Sequence, residues 1–287
     1  MPNMKNIKTK LDSVSNMKQL FNSMELSDSE KLKRTEKQVS NYKSFMEDFL
    51  WILWSTNLDL FKNNESISNN KKLILVFSTD KWLCGNYNNK LFRNIYNEYC
   101  DDISNVDVFC IWKKSFEFFA KKWFNVVWYL KLSDEFGLED ISEVYDYLLS
   151  SISNNLYWDI SVYLNLYKNK INSKTVNYSV YPLQEDSLNA FVDNFGMNVV
   201  SFSEWVSVWV ESSQFKFEMA KQLLQYMLYW VALQNKVAEL KSRISAIQNM
   251  KSTSEFAVKD LKLSFNRLCQ SLLAREVSSI MELKAVY

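Results

Sequence analysis

Leu223-Leu224-Gln225-Tyr226-Met227-Leu228-Tyr229-Trp230 lies in a run from Phe215 to Tyr287 that contains neither Gly nor Pro. Leu223, Trp230, Val237, Ile244, Lys251, Val258, Phe265 and Leu272 fall seven apart. Tyr226, Leu233, Leu240, Ile247, Ser254, Leu261 and Leu268 form a second row three residues behind the first. Two rows with that offset are the a and d positions of one unbroken heptad register. They predict a helix that supercoils left-handedly with a partner. At about 1.5 Å per residue it would be on the order of 100 Å long, more than a compact domain spans. The alternative is an ordinary, unusually long bundle helix, but sustained heptads of this length point to a coiled coil. Lys251 and Ser254 are the polar positions on the seam. Replacing Lys251 by Leu is expected to extend the apolar seam and raise stability.

The other end of the chain carries a matching stripe. Met4, Ile7, Leu11, Val14, Met17, Phe21 and Met24 recur three or four apart, the spacing of one helix face. No Gly or Pro lies between Asn3 and Lys72, so this helix is expected to run to about Leu60. Asn63-Asn64-Glu65-Ser66-Ile67-Ser68-Asn69-Asn70 then reads as a linker. Two long helices with one apolar seam each are satisfied by an antiparallel coiled coil if the block between them folds back. Lysines flank the first stripe, but Asp12, Glu25, Asp28, Glu30 and Glu36 interleave with them. The pattern is a solvated helix face, not a nucleic-acid site.

The middle alternates. Leu73-Ile74-Leu75-Val76-Phe77 is a continuous apolar run, the mark of a buried parallel strand. A helix is expected from about Asn88 to Tyr99, a strand at Val106–Ile111, and a short helix from Ser115 to Lys122. A strand from Phe124 to Leu130 and a helix from Leu138 to Ser151 follow. Tyr157–Tyr167 and Thr175–Tyr181 suit a hairpin. The fold class is therefore α/β: a long antiparallel coiled coil of terminal helices with an inserted small Rossmann-like domain. The expected division is 1–62 for the N-terminal helix, 71–182 for the α/β domain, 183–213 for an aromatic-rich spacer and 214–287 for the C-terminal helix. The spacer, with Phe191, Phe195, Phe202, Trp205 and Trp209, has no clear pattern.

Composition narrows the function. The net charge of +1 creates no large field toward nucleic acid or membrane. Three Gly and two Pro in 287 residues suit long helices. There is no His, which removes the commonest general base and zinc ligand. Cys84, Cys100, Cys110 and Cys269 show no paired spacing, so free thiols in a reducing cytosol are expected. Phe49-Leu50-Trp51-Ile52-Leu53-Trp54 is too short to span a bilayer. The turn after the first strand, Ser78 to Asn88, has only Gly85 to let backbone approach a phosphate. No catalytic constellation, cofactor site or metal site is expected, and the chain reads as a cytoplasmic protein without enzymatic activity.

Three segments together resemble the gamma subunit of the rotary F-type ATPases. The first is Ile7-Lys8 through Ser13-Val14, Asn16 and Met24 to the basic Lys31-Leu32-Lys33-Arg34. The second is the turn, where Asp80, Leu83, Cys84, Gly85 and Asn88 match the family's pattern, Lys81 and Tyr87 are conservative, and Trp82 and Asn86 replace glycines. The third is the tail, where Glu239, Arg243, Ala246, Leu261, Asn266, Gln270, Glu276 and Ile280 fall on the pattern without a gap and Phe265 stands for a Tyr. The resemblance implies a central shaft inside a ring of three alpha-like and three beta-like subunits. It implies a foot that allows an epsilon-like subunit and a membrane-associated load, with no nucleic acid and no direct membrane insertion. Met24 with Glu25 would face the beta-like lever. Arg243, Gln270 and Glu276 would couple shaft to ring, and the last residues would sit in an apolar bearing. Lys251, at the polar break, would meet an acidic lever of the ring.

The departures carry information. Ala274 replaces a Thr and Cys269 an Arg in the coupling patch, and Ser27, Asp28 and Ser29 replace small apolar residues. These changes suggest a divergent paralogue that hydrolyses ATP for mechanical work in a specialised F1-like motor. The alternatives are the gamma subunit of an ordinary proton-translocating synthase and a non-catalytic coiled-coil scaffold.

Overall fold

The computed structural model describes residues 4–55, 71–167, 173–183, 185–198 and 213–285. The expected continuation of the first helix to Leu60, the linker Asn63–Asn70, and Phe202, Trp205 and Trp209 lie outside these residues.

Among the described residues six α-helices and five strands follow in the order α1 (Met4–Ser55), β1 (Lys72–Phe77), α2 (Tyr87–Tyr99), β2 (Val106–Ile111), α3 (Lys113–Lys121), β3 (Asn125–Leu130), α4 (Ser142–Ser153), β4 (Asp159–Tyr167), β5 (Ser173–Tyr181), α5 (Glu185–Phe195) and α6 (Ser213–Ala285). The chain divides into two compact units, Met1–Glu30 with Arg243–Tyr287, and Lys31–Ser242. Both long helices contribute to each.

In the larger unit the strands order as β3-β2-β1-β4-β5. β1 is parallel to both β2 and β4, and β5 is antiparallel to β4. Every β2 residue is buried, as are five of the six in β1, which explains their near-continuous apolar runs. Ile74, Val76, Val108 and Cys110 face α2 and α3, meeting Leu91, Ile95 and Phe119. Leu73, Leu75, Phe109 and Ile111 face the other way, into a core that draws in Met46 and Leu50 of α1 and Leu223, Met227 and Trp230 of α6. Trp230 is fully buried. Tyr42 of α1 stacks on it, and Phe195 of α5 meets its edge. Within this unit Glu36 pairs with Lys241, Tyr42 meets Tyr229, and Phe49 meets Tyr226. Positions rise on α1 as they fall on α6, so the pair is antiparallel, as the seams predict. Helix α5 is an element the sequence pattern did not resolve. Its Phe191 is buried against Tyr178 of β5.

The smaller unit has the same sense of pairing: Lys18 meets Glu255, Glu25 meets Gln248 and Lys251, and Asp28 meets Arg243. Its seam is narrower than the N-terminal stripe suggests. Met17 is 48 % exposed. Lys18, half-buried and paired with Glu255, takes the heptad position between Val14 and Phe21 instead. The reason is strict register: from Ile7, steps of four and three lead to Leu11, Val14, Lys18, Phe21, Glu25 and Asp28, and all six are partly or fully buried. Residues 271–281 of α6 are all exposed.

Candidate functional site

Of the residues expected to couple shaft to ring, Glu25, Arg243 and Lys251 lie along the polar middle of the smaller unit's seam. Asp28 is 3 % exposed, and its Oδ2 lies 3.1 Å from Nε of Arg243. A buried carboxylate needs such a partner, because burying a lone charge is expensive. One turn earlier, Glu25 accepts hydrogen bonds from Nε2 of Gln248 at 2.9 Å and from Nζ of Lys251 at 3.2 Å. The Gln248 bond, with help from Lys251, holds the Glu25 carboxyl below its usual range against partial burial. The acidic partner of Lys251 is therefore in its own chain. Met24 is half-buried, while Gln270 and Glu276 are exposed on α6. Beyond them Leu273, Val277, Ile280 and Met281 are each more than half exposed.

The turn residues form a second constellation, in the larger unit. An open α/β sheet binds ligands at the carboxyl ends of strands where the strand order reverses. Here that point lies between β1 and β4, and the chain's own side chains fill it. Asn235 of α6 donates from Nδ2 to the Ser78 carbonyl at 3.0 Å, and its Oδ1 accepts from the Tyr87 hydroxyl at 2.6 Å. Asn165, at the end of β4, donates to the Tyr87 carbonyl at 2.7 Å. Thr79 donates from Oγ1 to Oε2 of Glu239 at 2.6 Å. Lys236 reaches Oε1 of the same carboxylate at 3.0 Å and Asp134 at 3.4 Å. Tyr87, Asn165, Asn235, Lys236 and Glu239 are all buried. Burial raises the Tyr87 hydroxyl well above its usual pKa, so it stays a neutral donor.

Each family-like position of the turn has a mechanical task. Asp80 accepts from the backbone N–H groups of Lys113 at 3.2 Å and Lys114 at 2.8 Å, so it caps the start of α3. Asn88 bonds the Thr79 backbone in both directions, at 3.1 and 2.6 Å. Leu83 and Gly85 sit at φ 62° and 58° and reverse the chain. Cys84 is buried against Tyr87 and Ala238, and its carbonyl accepts from the Ser242 hydroxyl at 2.8 Å. Lys81 pairs with Asp134 at 2.7 Å. Burial raises the Asp134 carboxyl, but Lys81, Lys236 and Lys31 outweigh it and leave it below its usual range. The turn thus welds the sheet to α6. Sequence reasoning found Asp80 to Asn88 but not Asn165, Asn235 or Lys236. The available signal was Asn235 and Lys236 lying among the apolar Leu233, Val237 and Leu240.

Among the described residues no cluster of His, Cys, Asp and Glu could hold a metal ion. No described helix is long and apolar enough to cross a membrane.

A family model described as ATP synthase matches residues 3–282. The ATP synthase gamma chain of Amoebophilus asiaticus is 25 % identical, over 98 % of this chain and 97 % of its own length. That of Staphylococcus epidermidis is 22 % identical, over 98 % of each. Among solved structures, a chain of the Euglena gracilis mitochondrial ATP synthase, in an OSCP/F1/c-ring assembly, superposes with a TM-score of 0.69 at 12 % identity, covering 99 % of this chain and 94 % of that one. A chain of the Tetrahymena thermophila mitochondrial ATP synthase central stalk and c-ring gives 0.56 at 15 % identity, over 80 % and 98 %. At these identities the structural likeness establishes the fold.

Proposed function

The chain belongs to the ATP synthase family, and from that premise we propose that it is a gamma-type central rotor that carries torque and performs no chemistry itself. Residues 1–62 and 214–287 act as the shaft, 71–182 as the foot, and 183–213 as a spacer. The partners are three alpha-like and three beta-like subunits, with an epsilon-like subunit and a membrane-associated load at the foot. The complex is cytoplasmic and peripheral to the membrane.

One observation carries this reading. The nucleotide crevice of a Rossmann-like sheet is filled here by Asn235 and Glu239 of the chain's own α6, so the sheet serves as a clamp on the shaft. Torque has to pass between α6 and the sheet without slip, and a buried polar network supplies directional contacts that a greasy interface lacks. Met24, Glu25, Arg243, Lys251, Gln270 and Glu276 are proposed as the ring-coupling patch. The exposed Leu273, Val277, Ile280 and Met281 suit an apolar bearing.

A specific observation favours a specialised hydrolytic motor over a proton-driven synthase. Asp28 stands where the family has a small apolar residue, and it turns Arg243 inward. A ring contact expected of Arg243 is thereby altered. The test is reconstitution of the chain with its alpha-like and beta-like subunits, observing ATP-driven rotation of a bead on the foot. A complex that hydrolyses ATP equally well without this chain refutes the rotor role. Proton pumping into vesicles by the complete assembly refutes the hydrolytic specialisation alone.

A further inference from the structure

The outer edge of the sheet departs from ordinary surface chemistry. β3 ends the strand order, and among the described residues no strand pairs with its outer side. Trp128 and Tyr129 on it are 53 % and 40 % exposed, Phe116 on the neighbouring α3 is 40 % exposed, and Trp123 is 89 % exposed. Trp123 sits at φ 67° as the residue that closes α3, with its N–H directed at the Ala120 carbonyl. That left-handed position normally takes Gly or Asn, so a bulky indole there is held at a conformational cost. A strained, solvent-facing aromatic beside other exposed rings marks a candidate binding surface.

We propose that the free edge of β3 accepts an added β-strand from a partner polypeptide, one that alternates acidic and apolar side chains. The register shows why the occupant is a strand. Trp128 pairs with Phe109, whose side chain lies in the core on the α4 side, whereas Tyr129 pairs with Cys110 on the α2 and α3 side. The exposed aromatics therefore flank the edge on both faces. A flat surface would meet only one of them, but an added strand would reach both faces, with its apolar side chains on one and its acidic ones on the other. The Leu130 carbonyl accepts from the Trp112 N–H, which turns Leu130 inward. By strand alternation the N–H and C=O of Tyr129 face outward and are available for a new ladder. Charge selects the partner. Residues 113–131 contain Lys113, Lys114, Lys121, Lys122 and Lys131 against Glu117 alone. Glu117 is already paired with Lys113. Lys121 and Lys131 have no carboxylate partner among the described residues, and acidic side chains on the added strand would meet them. This inference stands apart from the rotor reading, since it concerns the sheet edge farthest in strand order from β5.

The test uses the full chain and two fluorescein-labelled peptides of about ten residues, one alternating Glu and Val and one alternating Lys and Val. The acidic peptide is expected to bind saturably, with the basic one weaker by about tenfold or more. Tyr129→Pro removes the outward N–H and is expected to weaken binding about tenfold at unchanged melting temperature, since Pro is tolerated on edge strands. Binding should also slow hydrogen exchange of the Tyr129 amide. If Tyr129→Pro lowers the melting temperature, Trp128→Ala and the Tyr129 exchange readout decide in its place. Equal binding of both peptides, full binding by the substituted chain, or no binding up to about millimolar peptide overturns the proposal. So does sedimentation showing the edge taken by a second copy of this chain.

Discussion

Replacing Glu239 by Ala tests whether the buried weld between the sheet and α6 holds the larger unit together. Glu239 is 1 % exposed and receives the Thr79 hydroxyl at 2.6 Å and the Lys236 ammonium at 3.0 Å. Without it, Lys236, whose side chain is 9 % exposed, keeps only Asp134 at 3.4 Å, a carboxylate that is 40 % exposed. Thr79 Oγ1 loses its acceptor in a fully buried site. Breaking a buried pair by removing one member costs about 3–5 kcal/mol, and the orphaned hydroxyl adds about 1 kcal/mol or more. For a unit of this size, that lowers the melting temperature by on the order of 10 °C. The assay is thermal and urea unfolding followed by circular dichroism, with Lys236→Met/Glu239→Leu alongside Glu239→Ala. The double substitution removes both charges and should recover most of the loss, because an apolar pair of similar volume is often neutral or better. A loss below about 1 kcal/mol for Glu239→Ala, or a double variant no more stable than the single, refutes the argument.

Three further outcomes are expected. Lys18→Cys/Glu255→Cys, with the native cysteines replaced, should crosslink within one chain through a bifunctional thiol reagent about as long as the two side chains it replaces, whose tips lie 2.9 Å apart; crosslinks found only between chains would refute the antiparallel seam. Lys251→Leu alone should fail to stabilise, because it strips Glu25 of its cation. Lys251→Leu/Glu25→Leu should be neutral or gain up to about 1 kcal/mol in urea unfolding, and stabilisation by Lys251→Leu alone would refute the pairing. Acid should weaken the fold. Glu25 and Asp134 are held below their ordinary values, about 4.5 and 3.8. Their contributions are complete above those values and vanish as pH falls through the lowered ones. The melting temperature should be flat above about pH 5 and drop below it, less steeply in Glu25→Gln; an equal drop in that variant would exclude Glu25.

Local and periodic information was legible in the chain itself. Heptad spacing from Leu223 to Leu268 needs no knowledge of the partner, since a helix's apolar row is a property of its own sequence. The runs Leu73–Phe77 and Val106–Ile111 likewise announced buried parallel strands, because such strands are covered on both faces. Matched residues from Asp80 to Asn88 marked a turn worth attention. Its purpose was not legible. Asn235 and Glu239 lie 157 and 160 residues from Ser78 and Thr79, and only folding brings them to 3.0 and 2.6 Å. The same holds for the seam of the smaller unit. Lys18, Glu25 and Asp28 look like surface residues in a linear reading, and Met17 looks like core. Register decided otherwise, because a continuous helix against one partner cannot shift a single turn to bury a methionine. It buries what its phase presents, and tertiary structure alone supplied Glu255, Lys251 and Arg243 to meet the charges.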